Sequence, residues 1–234
     1  LLKKNKVKVF EGFGSLVRDS SNIKKIRIKT KDNNIEKTAK NVILATGARS
    51  RNLPFVSSDG VNIWDYKTAM TPPKLPSSPI IVGSGAIGME FASFYNDLGV
   101  DVTIVEALPS ILPNEDTDIS KIVKLSFEKR GIKIKTSSAL KSVTTKENSV
   151  SAEIITNEKV ETINSEKLIL AIGIIANTEK LGLKDFNVKI DKGHIVTNEF
   201  LETDEKGVYA IGDITDGPWL AHKASHEGIL CVEK

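Results

Sequence analysis

The stretch Pro79-Ile80-Ile81-Val82-Gly83-Ser84-Gly85-Ala86-Ile87-Gly88 decides the fold. A short apolar run leads directly into G-x-G-x-x-G. From Met89 to Leu98 a helix is predicted, with Ile87, Phe91, Phe94 or Tyr95 and Leu98 recurring on one face and Gly99 placed to end it. Val100-Asp101-Val102-Thr103-Ile104-Val105 reads as the next strand, and Glu106 closes it. Glycines in this spacing are weak evidence alone; a strand before them, a helix after them and a carboxylate at the end of the second strand make a dinucleotide-binding unit.

Each position meets a separate demand. Gly83 permits the tight strand-to-helix turn, Gly85 lets a pyrophosphate approach the backbone, and Gly88 lets the helix pack closely on the strand. Ala86 and Ile87 lie at the approach to the helix N-terminus, where unpaired N–H groups and the positive dipole end suit phosphate. Glu106 lies where a carboxylate accepts from both ribose hydroxyls of an adenosine, and a 2′-phosphate there would meet like charge. Ala107-Leu108-Pro109-Ser110 offers no Arg or Lys to hold such a phosphate, so NAD is expected over NADP. A tight turn with a surface glutamate at a strand end is the plainer alternative. Asp116 or Thr117 then caps a further predicted helix carrying Ile119, Ile122, Val123 and Phe127, which Gly131 closes.

Outward from this unit the sequence repeats itself. Val7-Lys8-Val9-Phe10, Ile26-Arg27-Ile28-Lys29 and Val42-Ile43-Leu44-Ala45-Thr46-Gly47 match Ile132-Lys133-Ile134-Lys135, Val150-Ser151-Ala152-Glu153-Ile154-Ile155 and Leu168-Ile169-Leu170-Ala171-Ile172-Gly173 in order and pattern. The alternating segments predict half-buried antiparallel strands joined by the polar turns Lys31-Asp32-Asn33-Asn34 and Asn157-Glu158-Lys159. The closing apolar runs predict parallel strands buried on both faces, and Gly173 at the end of the second run is placed to meet the same dinucleotide. Two unrelated meanders would be the alternative to a duplication. Only the second copy is preceded by a glycine-rich unit. The first copy is therefore expected to belong to a nucleotide-binding domain whose phosphate-binding part is missing from this chain, together with roughly a hundred residues at the N-terminus.

Hydrophobic residues at 40% and charged residues at 27% of the 234 residues are those of a soluble globular protein. The longest apolar stretches, such as residues 168–172, are strand-sized, so no membrane helix is expected. Scattered lysines and a net charge of +3 argue against a nucleic-acid partner. One cysteine, Cys231, permits neither an internal disulfide nor a clustered-cysteine metal site, and beside Ile229 and Leu230 it reads as a buried, inert thiol. No metal site is expected. Leu1-Leu2-Lys3-Lys4 is neither an initiator nor a signal-peptide opening, which suggests a piece of a longer chain.

Ala45-Thr46-Gly47-Ala48, residues 82–90, Thr203 with Val208-Tyr209-Ala210-Ile211-Gly212-Asp213, and Leu220-Ala221-His222-Lys223-Ala224 together resemble the pyridine nucleotide-disulfide oxidoreductases. The last string is most similar to the members that oxidise dihydrolipoyl groups. The resemblance implies an α/β architecture: a Rossmann-like FAD/NAD(P)-binding domain, with a parallel sheet plus an antiparallel β-meander, inserted in a partial second domain of the same kind. The expected divisions are 1–75 and 179–234 for the FAD-binding pieces and 76–178 for the NAD-binding domain. By resemblance, Asp213 would hold the ribitol of FAD, Thr46 and Gly47 would lie against it, and Leu220, Ala221 and His222 would start a helix aimed at the flavin pyrimidine, where negative charge develops on reduction. An ordinary strand-end cap would explain Asp213 equally well. Glu90 resembles the family carboxylate that pairs with a lysine beside the flavin; a first-turn helix carboxylate is the alternative.

Departures accompany the matches. The second Ala-x-Gly continues Ile174-Ile175-Ala176-Asn177 where the family has Arg-x-Pro-Asn, a change seen in some bacterial branches. The first glycine fingerprint, the paired redox cysteines with their lysine, and an interface domain with its His-Glu pair are not in this sequence. The resemblance thus implies a cytoplasmic flavoprotein, homodimeric when full length, whose partner is the dihydrolipoyl domain of a 2-oxoacid dehydrogenase complex. This chain is expected to bind NAD without turning over alone. Related flavin reductases (NADH oxidases, mercuric reductases, transhydrogenases) and a non-enzymatic nucleotide-binding module are the alternatives.

Overall fold

The computed structural model describes residues 1–18 and 23–233, which form two units, Leu1–Arg49 with Ile175–Lys234, and Ser50–Ile174. In chain order the first unit begins with an antiparallel meander, β1 (Phe13–Arg18), β2 (Lys24–Lys29) and β3 (Asn34–Ala39), followed by β4 (Val42–Leu44) and β5 (Ala48–Ser50). The turn predicted after β2 is present, with Thr30 N–H and Oγ1 both donating to Asn33 O at 2.9 Å.

The second unit is contiguous and layered. Its elements are β6 (Ile63–Trp64), α1 (Tyr66–Met70), β7 (Pro79–Val82), α2 (Ala86–Asp97), β8 (Thr103–Val105), α3 (Thr117–Lys129), β9 (Lys133–Lys135), β10 (Ser138–Lys146), β11 (Ser149–Thr156), β12 (Lys159–Ser165) and β13 (Lys167–Leu170). Five strands form one parallel sheet in the order β6-β13-β7-β8-β9. Alternation along the buried strands sends Ile81, Ile104 and Ile169 to one face, against Met89, Phe91, Ala92 and Tyr95 of α2. Ile80, Val82, Val105, Leu168 and Leu170 face the other way, onto Val150, Ala152 and Ile154 of the β10-β11-β12 meander. Apolar neighbours on both sides explain why β7 and β13 read as continuous apolar runs.

β14 (Ile174–Ala176) pairs with β5, and the boundary between the units runs through both. The first unit is completed by β15 (Ile190–Asp191), β16 (His194–Ile195), β17 (Val208–Ala210), which pairs in parallel with β4, and α4 (Ala221–Glu233). Leu16, Leu44, Leu183, Phe186, Val208, Ala210 and Ile214 form its core. Among the described residues no helix is long and apolar enough to cross a membrane.

The structure departs from the sequence reading at defined points. Val7, Val9 and Phe10 form no strand and are exposed. Their counterparts in β9 are held by β8, and among the described residues the first copy has no such neighbouring strand. The first division falls after Arg49 and not after residue 75, because Ile63 and Trp64 join the sheet through β13 and Ala69 enters its core. On α2 it is Tyr95 that is buried, its hydroxyl donating to Ala69 O at 2.6 Å, while Phe94 is exposed. Burial pushes the Tyr95 phenol up to about 12. The run at residues 42–45 is only partly covered: Ile43 is exposed, and among the described residues β4 pairs with β17 alone.

Candidate nucleotide-binding site

Gly83, Glu106 and Gly173 all follow the carboxyl ends of parallel strands, β7, β8 and β13. Chain order reverses between β13 and β7, and such a switch point is where open α/β sheets bind ligands. Gly83 adopts φ +100°, and a Cβ there would lie 2.4 Å from Ala171 O. A Cβ on Gly88 would lie 2.0 Å from Gly83 O, so helix and turn meet with no room for a side chain. Gly85 differs from both: its φ of −68° suits any residue, and a Cβ would meet nothing within 4 Å. The space over Gly85 is open. The first bond of α2 runs from Met89 N–H to Gly85 O at 3.0 Å, which leaves the N–H groups of Ala86, Ile87 and Gly88 ahead of the ladder and free for an anion.

Glu106 is buried, at 7% exposure. Its Oε2 accepts from Ser84 N–H at 2.8 Å and Ser84 Oγ at 2.7 Å, and its Oε1 accepts from Leu108 N–H at 2.8 Å. The carboxylate is therefore tied into the glycine turn, not a loose surface group. Lys135, whose carbonyl accepts the Glu106 N–H, sends its ammonium to Glu161 at 3.0 Å. These features fit an adenine dinucleotide: an open cradle, N–H donors beside it and a fixed carboxylate one strand away. Gly173, at φ +104°, also leaves open space above its backbone. Glu90 is exposed in the second turn of α2, beyond the first-turn position the dipole alternative requires. It shares a hollow of about 460 Å³ with Tyr66, Met70, Ile87, Phe91 and Phe94.

In the first unit, Thr46 with Gly47 and Gly212 with Asp213 leave the same carboxyl edge of the β4-β17 ladder. Thr46 Oγ1 donates to Asn177 O at 2.7 Å, and Asn177 Nδ2 donates back to Thr46 O at 3.0 Å. Arg49 binds both Asn177 Oδ1 at 2.8 Å and Glu179 at 2.7 Å. Together with Gly12, Phe13 and Gly14 these residues line a groove of about 640 Å³. Asp213 lies in a single 3-10 turn, Gly212–Ile214, and its carboxylate has no hydrogen-bond partner among the described residues. A half-buried carboxylate left without donors at a strand end fits a sugar-alcohol hydroxyl. Leu220 O accepts the Ala224 N–H at 3.1 Å as α4 begins, leaving Ala221 and His222 exposed in its first turn. Cys231 is buried on α4, and desolvation raises its thiol pKa.

Sequence reasoning missed the supports around these positions. Glu227 accepts the Gly212 N–H at 2.6 Å and pairs with Lys223 at 2.7 Å, and Lys223 also donates to Thr215 Oγ1 at 3.0 Å. The i,i+4 spacing of Lys223 and Glu227 was the available signal. Arg49, Asn177 and Glu179 gave none, because their contacts join segments far apart in sequence. Among the described residues no group of His, Cys, Asp or Glu could hold a metal ion.

Comparison with known proteins bears on the whole chain. Residues 1–228 match the family profile described as pyridine nucleotide-disulphide oxidoreductase. A dihydrolipoyl dehydrogenase of Zymomonas mobilis is 46% identical over all of this chain and 50% of its own length. One from Rhizobium etli is 49% identical over 84% of this chain and 41% of its own length. The chain spans about half the length of the curated relatives it matches. The crystal structure of LpdA from Mycobacterium tuberculosis superposes with a TM-score of 0.87 at 31% identity, covering 98% of this chain and 50% of that one. The flavoprotein disulfide reductase RclA of Escherichia coli, at 23% identity and TM-score 0.87 over 99% of this chain and 51% of its own, shares the fold.

Proposed function

Because the chain belongs to the pyridine nucleotide-disulphide oxidoreductase family, we propose that it is the NAD-binding domain and part of the FAD-binding domain of a dihydrolipoyl dehydrogenase. The observation that carries this reading is the open space over Gly85, with free first-turn N–H groups beside it and Glu106 fixed at the end of β8. The names of the relatives support the substrate class. The protein as a whole would take two electrons from a dihydrolipoyl dithiol of a 2-oxoacid dehydrogenase complex and pass them to NAD, as a cytoplasmic homodimer.

FAD, when bound, supplies the two-electron relay between dithiol and nicotinamide. The residues of this chain hold and orient. Ala86, Ile87 and Gly88 offer N–H groups to the pyrophosphate of NAD, and Glu106 accepts from the adenosine ribose. Asp213 accepts from the ribitol, Thr46 and Gly47 lie against the flavin nucleotide, and the positive end of α4 at Leu220, Ala221 and His222 stabilises negative charge on the pyrimidine side. Glu90 supports a lysine that is not in this sequence. Dithiol oxidation needs two cysteines and the chain has one, so it binds NAD without turning over alone.

Titration of the chain with NADH and NADPH, followed by nucleotide fluorescence, tests the reading. Saturable NADH binding is expected, with NADPH weaker by about tenfold or more from like-charge repulsion at Glu106. Absence of NADH binding at millimolar levels would overturn it, and equal affinities would overturn the role of Glu106.

A further inference from the structure

Ser84 is the first variable position of the glycine-rich turn, and it is fully buried, at 0% exposure. Dinucleotide binding as described assigns it no task, since the glycines shape the turn and the main chain meets the phosphates. Yet its hydroxyl and its N–H both reach Glu106 Oε2, at 2.7 and 2.8 Å, while Leu108 N–H takes Oε1 at 2.8 Å. A carboxylate offers about four acceptor sites. Donors from two separate loops thus fill most of them and leave capacity only on Oε1.

We propose that Ser84 is a positioning residue that sets nucleotide selectivity, by locking Glu106 in one orientation. The proposal rests on the reading of Glu106 as the ribose acceptor. A carboxylate on a free two-carbon stem could turn away from a 2′-phosphate and tolerate NADPH. Held by the buried N–H and hydroxyl of Ser84, it cannot turn without stranding them. The same lock presents the remaining acceptor site of Oε1 to one ribose hydroxyl of NAD. Selectivity therefore resides in a pair, the carboxylate that repels and the hydroxyl that keeps it in place.

Ser84→Ala removes the hydroxyl and keeps the N–H. The ratio of NADH to NADPH affinity of the chain is expected to fall by about fivefold. In a Glu106→Gln background the same substitution is expected to leave the ratio unchanged, because the hydroxyl acts through the charge. An unchanged ratio in Ser84→Ala, or an equal fall in both backgrounds, would overturn the proposal. Amide hydrogen exchange at Leu108 gives an independent readout: it is expected to quicken in Ser84→Ala, and equal exchange would contradict the lock. If the unaltered chain binds no NADH, the NAD reading and the selectivity claim fall together, and exchange at Leu108 then separates that failure from failure of the Ser84–Glu106 contact.

Discussion

Gly85 and Gly88 are the same letter in one motif and carry opposite physical burdens. Gly88→Ala would drive a Cβ to within 2.0 Å of Gly83 O, so it is expected to destabilise the chain. A loss of about 1–3 kcal/mol by chemical denaturation is the measure of that overpacking. Gly85→Ala meets no protein atom and is expected to change stability by less than about 1 kcal/mol while weakening NADH binding severalfold. A large stability loss at Gly85 would show that its space belongs to the fold and not to a ligand. The close packing at Gly88 is legible from the spacing, because that glycine answers to Gly83, a neighbour fixed by the motif. The partners of Glu106 are not: hydrogen bonds from Ser84 and Leu108 depend on side-chain placement that no periodicity encodes. Glu166 shows the same gap. The Ser77 N–H and hydroxyl hold its carboxyl below the usual 4.5. A depressed carboxylate contributes stability above its unfolded value and loses it as pH falls through the folded one. Thermal melts below pH ~4.5 are therefore expected to fall less steeply in Glu166→Gln than in the unaltered chain.

Among the elements, β7 and β13 are legible in the sequence as continuous apolar runs, because α2 covers one face and the meander the other. Ile154, fully buried between meander and sheet, is where that layering can be tested. Ile154→Ala is expected to cost about 2–5 kcal/mol in equilibrium unfolding, and a loss under about 1 kcal/mol would mean that the meander does not seal the sheet. Short elements were harder. β6 has only Ile63 and Trp64, too few for a period, yet both are buried and extend the sheet. On α2, Phe94 and Tyr95 are adjacent, and helical spacing could not decide which one turned inward. The Ala69 carbonyl decides it by accepting the Tyr95 hydroxyl. Val7-Lys8-Val9-Phe10 failed as a strand for the converse reason: alternation marks a segment able to pair, and pairing also needs a neighbour.

At the scale of the whole molecule, a contiguous unit, Ser50–Ile174, interrupts the chain of another, Leu1–Arg49 with Ile175–Lys234. In the sequence the repeat marks a duplication, and the resemblance implies the insertion. The division after Arg49 leaves no mark in the sequence, because residues 50–75 show no strong periodicity and join the unit through β6 and Ala69. A contiguous unit with its own sheet and two apolar faces is expected to fold alone, so residues 50–174 expressed separately should melt cooperatively and keep NADH binding. The most direct check of the central claim is a crystal structure of the chain with NAD. The account predicts the pyrophosphate over Gly85, against the N–H groups of Ala86, Ile87 and Gly88, with the adenosine ribose on Glu106. A nucleotide bound elsewhere, or one whose ribose avoids Glu106, would contradict it.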